Sequence, residues 1–178
     1  MQKLPLGTQA FDKLRNADAV YIDKTEHIYN LINNGSVYFF SRPRRFGKSL
    51  LISTFKELFN ANKDLFKDLY IYNKWNWSNK YPVIHYQTVD QLEVSLDKFL
   101  DDIATRENIT LEKTTTRLIS VKFSELIEKL HESTSQQVVV LIDEYDKPLI
   151  DNLNDEEIYK RIKKILHNFY LRLYSARA

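Results

Sequence analysis

"FFSRPRRFGKSLL", residues Phe39 to Leu51, is the stretch on which the fold turns. It closes like a phosphate-binding loop, in Gly47-Lys48-Ser49. Such a loop needs backbone N–H groups pointing inward, a lysine that reaches the β- and γ-phosphates, and a hydroxyl for magnesium. The helix that starts there adds its positive end. After Gly47, the residues Leu51, Phe55, Leu58 and Phe59 recur at helical spacing. Before it, "SVYFFS" (Ser36 to Ser41) is an apolar run bounded by turn signals and reads as a buried strand. Pro43 cannot continue a central strand, so the chain must turn there. The order is strand, loop, helix. The strict pattern of glycine, four residues, then Gly-Lys-Ser fails at one place, because Arg42 stands where the first glycine belongs. Only Gly7, Gly35 and Gly47 are glycine, which makes Gly47 beside a lysine and a serine informative. Taken alone, the segment also reads as the lysine-serine start of an ordinary amphipathic helix.

A second motif lies about 95 residues downstream, in "QQVVVLIDEYDKP". Val138 to Ile142 are five consecutive apolar residues, a run that suits a parallel strand covered on both faces. The run ends in Asp143-Glu144. An aspartate there can hold magnesium, usually through water, and the following glutamate can orient an attacking water. Taken alone, this is also a buried strand ending in solvated acids. In the right order, each after an apolar strand, the two motifs support one another. Ligands of parallel α/β sheets bind beyond the carboxyl ends of the strands, where both motifs fall.

The rest of the chain fits that frame. At 178 residues and 43% hydrophobic it reads as one globular domain that buries roughly 70% of its unfolded surface. No cysteine is present, so disulfides and thiolate metal sites are excluded. The first residues lack an apolar signal core, and no window approaches the roughly 18 apolar residues of a membrane span. A cytoplasmic protein is expected. The net charge of +2 is small for a nucleic-acid binder, and the dense basic cluster is Arg42, Arg44, Arg45 and Lys48. The lead-in, residues 1–35, predicts a short helix around Phe11 to Leu14, an extended "VYIDKT", and a helix with Ile28, Leu31 and Ile32 on one face that stops near Gly35. "DLYIYNKWNWSNKYP" reads as irregular and "PVIHYQTV" as a strand. Residues 91–106 and 113–131 read as helices, the second with Leu118, Val121, Phe123, Leu126 and Leu130 on its apolar face. A last helix over 155–175 can be capped by Asn154 or Asp155. The sum is an α/β sandwich with a largely parallel sheet. The histidines His27, His85, His131 and His167 have no metal-ligand spacing.

With these residues in hand, the sequence resembles the predicted AAA-ATPase-like family, whose longer members carry a nuclease-like domain of the PD-(D/E)xK type. "LPLGTQAFDKLRNADAVYIDKTEHIYNL" looks like the family's opening, with its Tyr-(Val/Ile)-Asp-Lys-Thr element. "FFSRPRRFGKSLLISTF" looks like its phosphate loop, for which "RPRRFGKS" is the usual form, and "VVVLIDEYDKPLI" like its acidic strand. The resemblance runs from Leu4 to about Tyr170. It implies a three-layer α/β/α P-loop sandwich with a mainly parallel sheet, binding ATP with Mg2+. It implies a phosphate loop over 41–49 and an acidic strand over 138–146. The expected cofactor-binding set is Arg44, Arg45, Phe46, Gly47, Lys48, Ser49 and Leu50. Ser49 and Asp143 are the expected metal ligands, with Lys48 and Glu144 in catalytic roles. Arg44 and Arg45 can contact phosphates, act across an interface with a second copy or a protein partner, or pack against Asp146. Solvated surface is an equal reading for both.

The resemblance also implies a sheet in the order 5-1-4-3-2, where strand 4 lies between the loop strand and the acidic strand. After Asp143 the sequence reads as one helix with no further apolar strand. The sheet is therefore expected to be incomplete at its C-terminus, with marginal stability and poor hydrolysis. Nuclease chemistry is not expected within these residues. It needs an acid two positions before a lysine, and before Lys147 that position is Tyr145. Nucleic acid is expected as a partner only through a larger nuclease-containing protein, and no membrane. The competing reading is a non-catalytic interaction or regulatory module with a vestigial loop.

Overall fold

A computed structural model describes residues 4–5, 7–41, 43, 45–87, 92–112 and 118–175. The chain divides into two compact units, Met1–Val83 and Ile84–Ala178.

The first unit is helical and its core is aromatic. It holds α1 (Phe11–Asn16), α2 (Thr25–Asn34) and α3 (Lys48–Phe59), then two single 3-10 turns at Lys63–Phe66 and Tyr70–Asn73. Phe11 is fully buried, with its ring 5.1 Å from Tyr21 and 4.8 Å from Phe66. Leu14, Ile28, Leu58 and Ile71 complete the centre. The α2 helix begins and ends where "DKT" and Gly35 predict. A Cβ at Gly35 would lie 2.6 Å from the Tyr38 phenol oxygen, which donates to the Leu31 carbonyl at 2.6 Å. The aromatic stretch expected to be irregular contains a 3-10 turn, with Ile71 wholly buried.

The second unit joins β1 (Val83–Gln87, whose first residue is the end of the first unit), α4 (Leu92–Arg106), α5 (Ile119–Thr134), β2 (Val139–Asp143), α6 (Lys147–Asp151) and α7 (Glu156–Ser175). The strands β1 and β2 form a small parallel two-stranded sheet. Parallel neighbours need a long crossover, which α4 and α5 supply. Ile84, Tyr86, Leu96, Leu100, Phe123, Leu126, Leu130 and Phe169 form one buried cluster against which Val140 and Ile142 pack. The Phe123 and Phe169 rings lie 4.4 Å apart. The Lys122 ammonium bridges Asp97 at 2.7 Å and Asp101 at 2.8 Å, tying α5 to α4. Burial pulls that ammonium's pKa down, but the two carboxylates outweigh it and raise it. At the start of α7, the Asp155 carboxylate accepts the Ile158 N–H at 3.0 Å, so Asp155 is the cap.

Four expectations need correction. Ser36 to Ser41 is not a buried strand: these residues lie outside the two strands, and Val37–Phe40 are 43–69% exposed. The two-stranded sheet is made of β1 and β2. The acidic strand ends at Asp143 and not at residue 146. After Asp143 the chain makes two helices, because Pro148 suits the first turn of the short α6. Leu118 and Val121 are exposed at the start of α5, while Phe123, Leu126 and Leu130 are buried as the periodicity implies.

Candidate functional site

The loop sits at the start of α3. Gly47 precedes the helix in the left-handed conformation (φ 76°), and the Leu51 N–H makes the first helical bond to its carbonyl at 3.0 Å. A Cβ at Gly47 would meet nothing within 4 Å. The backbone conformation, and not lack of space, is what selects glycine here. Arg45 also has a positive φ of 67°, and Phe46 between them is 66% exposed. Two left-handed residues in three turn the chain sharply into the helix. Lys48, Ser49 and Leu50 occupy the first helical positions, half-buried, where N–H groups have no carbonyl four residues back within the helix. Arg42 and Arg44 lie outside the described residues.

The lead-in holds this helix in place. The Phe11 N–H donates to the Ser53 hydroxyl at 2.9 Å. The Thr54 hydroxyl donates to the Leu50 carbonyl at 2.8 Å and also meets the Tyr21 phenol. Burial raises the Tyr21 pKa, and the Thr54 hydrogen bond only partly opposes it. Asp23 clasps two elements: one carboxylate oxygen accepts the Thr25 N–H (2.8 Å) and hydroxyl (2.7 Å), the other the Tyr70 N–H (2.7 Å). The buried Thr25 hydroxyl in turn accepts the Ile71 N–H at 3.2 Å. Burial alone would lift the Asp23 carboxyl, but the Tyr70 and Thr25 donors, with Arg15 nearby, hold it below the ordinary carboxylate value. Arg15 donates to the carbonyls of Leu65 (2.7 Å) and Lys67 (2.6 Å). "YIDKT" is thus a structural clasp. Its start signal was legible, but its partners, 46 and 47 positions away, were not.

The acidic motif belongs to the second unit. Asp143 ends β2 and is 7% exposed, with one carboxylate oxygen accepting the Glu144 N–H at 2.9 Å. Glu144 is exposed in the left-handed region (φ 52°), and its carbonyl accepts the Lys147 N–H at 3.0 Å. The strand therefore stops in a tight turn that separates a buried acid from an exposed one. Beside this turn is a group of phenols that sequence reading missed. Burial raises the Tyr170 pKa, with Tyr145, Tyr86 and Asp146 adding to it. Burial likewise raises Tyr145, helped by Asp146. The only sequence signal for this was the aromatic content of "NFYLRLY".

Phe46, Gly47, Lys48, Ser49 and Leu50 are contiguous in the first unit; Asp143 and Glu144 are contiguous in the second. Among the described residues, no group of three or more histidines or acids could hold a metal ion by itself. No described helix is long and apolar enough to cross a membrane.

An uncharacterized protein from the vnfD 5' region of Azotobacter chroococcum mcd 1 is 40% identical over 174 residues. That match covers 95% of this chain and 34% of the relative, so the chain spans about a third of its relative's length. No solved structure matches. The family described as Predicted AAA-ATPase matches residues 5–177, and with nearly the whole chain covered, the chain belongs to the predicted AAA-ATPase family.

Proposed function

We propose that this chain is an ATP-binding P-loop domain, part of a three-layer α/β/α sandwich, which binds ATP together with Mg2+ and hydrolyses it weakly. One observation carries the reading: Gly47, in the left-handed conformation, delivers Lys48 and Ser49 into the first turn of a helix. The groups present fit a phosphate chemically. They are an ammonium, a hydroxyl, first-turn N–H groups and an open approach over Gly47. In this reading Lys48 holds the β- and γ-phosphates, and the backbone from Arg45 to Leu50 lines them. Ser49 would offer magnesium a hydroxyl from the first unit and Asp143 a carboxylate from the second. Bound magnesium supplies neutralisation of phosphate charge. Glu144, exposed at its turn, holds a water and takes its proton. Weak turnover is expected of these 178 residues, because the segment leading into the loop is not held in a sheet.

A second reading, an interaction or regulatory module with a vestigial loop, is favoured by the exposed run Val37–Phe40. Calorimetric titration with ATP and magnesium separates the two. Saturable binding that weakens at least about tenfold in Lys48→Ala, with unchanged circular dichroism, supports the ATP-binding domain. No binding, or equal binding by the variant, supports the interaction module.

A further inference from the structure

We propose that the aromatic and lysine-rich surface around residues 63–81 binds single-stranded nucleic acid. The site is separate from the Gly47-Lys48-Ser49 loop and does not depend on the reading of that loop. An open cavity of about 440 Å³ lies there, lined by Lys67, Asp68, Leu69, Tyr70, Tyr72 and Asn73. Two ammonium–aromatic pairs flank it: Lys74 over the Tyr70 ring at 5.1 Å, and Lys63 over the Tyr72 ring at 5.0 Å. Significant pairs of this kind occur about once per 70–80 residues, so two at one cavity are a local concentration. Tyr70 is 39% exposed, and its ring also meets the Tyr29 ring edge-to-face at 6.4 Å.

The wall is also held by hydrogen bonds from behind. The Tyr70 N–H is fixed on Asp23 at 2.7 Å, the Ile71 N–H on the Thr25 hydroxyl at 3.2 Å, and the Trp77 indole donates to the Tyr72 carbonyl at 2.7 Å. Phenol rings flanked by ammoniums are what an unpaired base and its phosphate require. The base stacks on a phenol, and the lysines meet the backbone. The Asn73 amide can pair with a base edge. An apolar peptide would find only Leu69 among these lining residues. Asp68 is the acid in the lining and sets a limit on affinity. Residues 63–80 still carry four lysines against two aspartates. Stacking is largely indifferent to base identity, so binding is tolerant of sequence.

Both tryptophans of the chain, Trp75 and Trp77, lie in this segment, so indole fluorescence reports on it directly. The test titrates the full chain with a twelve-residue oligothymidylate across a salt series. Saturable quenching that weakens with salt is expected. In Lys63→Ala/Lys74→Ala the log–log salt slope should fall by about 1.4, since each phosphate contact on a single strand contributes about 0.7. Tyr70→Ala should lose about fivefold to a hundredfold in affinity, and Tyr70→Phe should stay within about twofold, because the π face is kept. Lys48→Ala should bind the oligonucleotide like the parent, which separates this site from the ATP proposal. The proposal is overturned by absent quenching, by thymidine monophosphate or duplex binding as tightly, or by lysine variants that match the parent. Should Tyr70→Ala fail to fold by circular dichroism, the two exposed lysines still decide the matter.

Discussion

Two apolar segments lead into the two motifs, and they fare differently. Val37–Phe40, before the loop, lies outside the sheet and is 43–69% exposed. Val139–Asp143, before Glu144, is strand β2, paired with β1, and its Val140 and Ile142 pack on the core of the second unit. Both read as strands, since both are short apolar runs bounded by turn signals. What separates them is the sheet, which takes in the second run and not the first. A strand is stabilised by partners that take its N–H and C=O groups and by side chains across its faces.

The comparison can be broken most directly at the paired sheet. Ile84→Ala in β1, at a site 1% exposed, should destabilise the protein by about 2–5 kcal/mol in urea unfolding. A loss below about 1 kcal/mol would mean that the sheet does not anchor its unit. The clasp behind the loop comes next. Asp23→Ala should cost about 1–2 kcal/mol, as for loss of a helix-start acceptor. Because the Asp23 carboxyl is held below its ordinary value, its contribution is full above about pH 4 and is lost as pH falls through the lowered value. Asp23→Asn should flatten that acid limb of the stability curve, and an unchanged limb would remove the clasp from the account.

Gly47→Ala should cost about 1 kcal/mol, for the left-handed backbone alone, since a Cβ there meets no atom. A much larger loss in thermal unfolding would point to crowding at the loop. The smallest effect belongs to the exposed segment before the loop. Phe39→Ala, at a residue 69% exposed, should stay within about 0.5 kcal/mol of the parent. A cost above about 2 kcal/mol would show Phe39 to be buried in solution and would erase the contrast with β2.

Much of the local structure was legible. The Asp-Lys-Thr signal and Gly35 bound α2 correctly, and the apolar spacing in α3 placed Phe55 and Leu58 inside. The turn at Gly47-Lys48-Ser49 was legible because a left-handed glycine before a helix is a local preference. The clasp at Asp23 and the phenols around Tyr170 were not, because their partners come from distant elements. The failure at Ser36 to Ser41 has the same origin: apolar pattern reports a tendency to be buried, and burial needs something to be buried against.

By itself the sequence determined the bounds of α2, the start of α3 at Lys48, and the family to which the chain belongs. Those properties reside in short-range backbone preference and side-chain chemistry. Only the tertiary structure decided which apolar run became a strand, and that Asp143 is buried while Glu144 is exposed. It also decided that the lead-in braces the loop helix. Each of these depends on hydrogen-bond partners and packing surfaces that lie far away along the chain, and no local pattern encodes them.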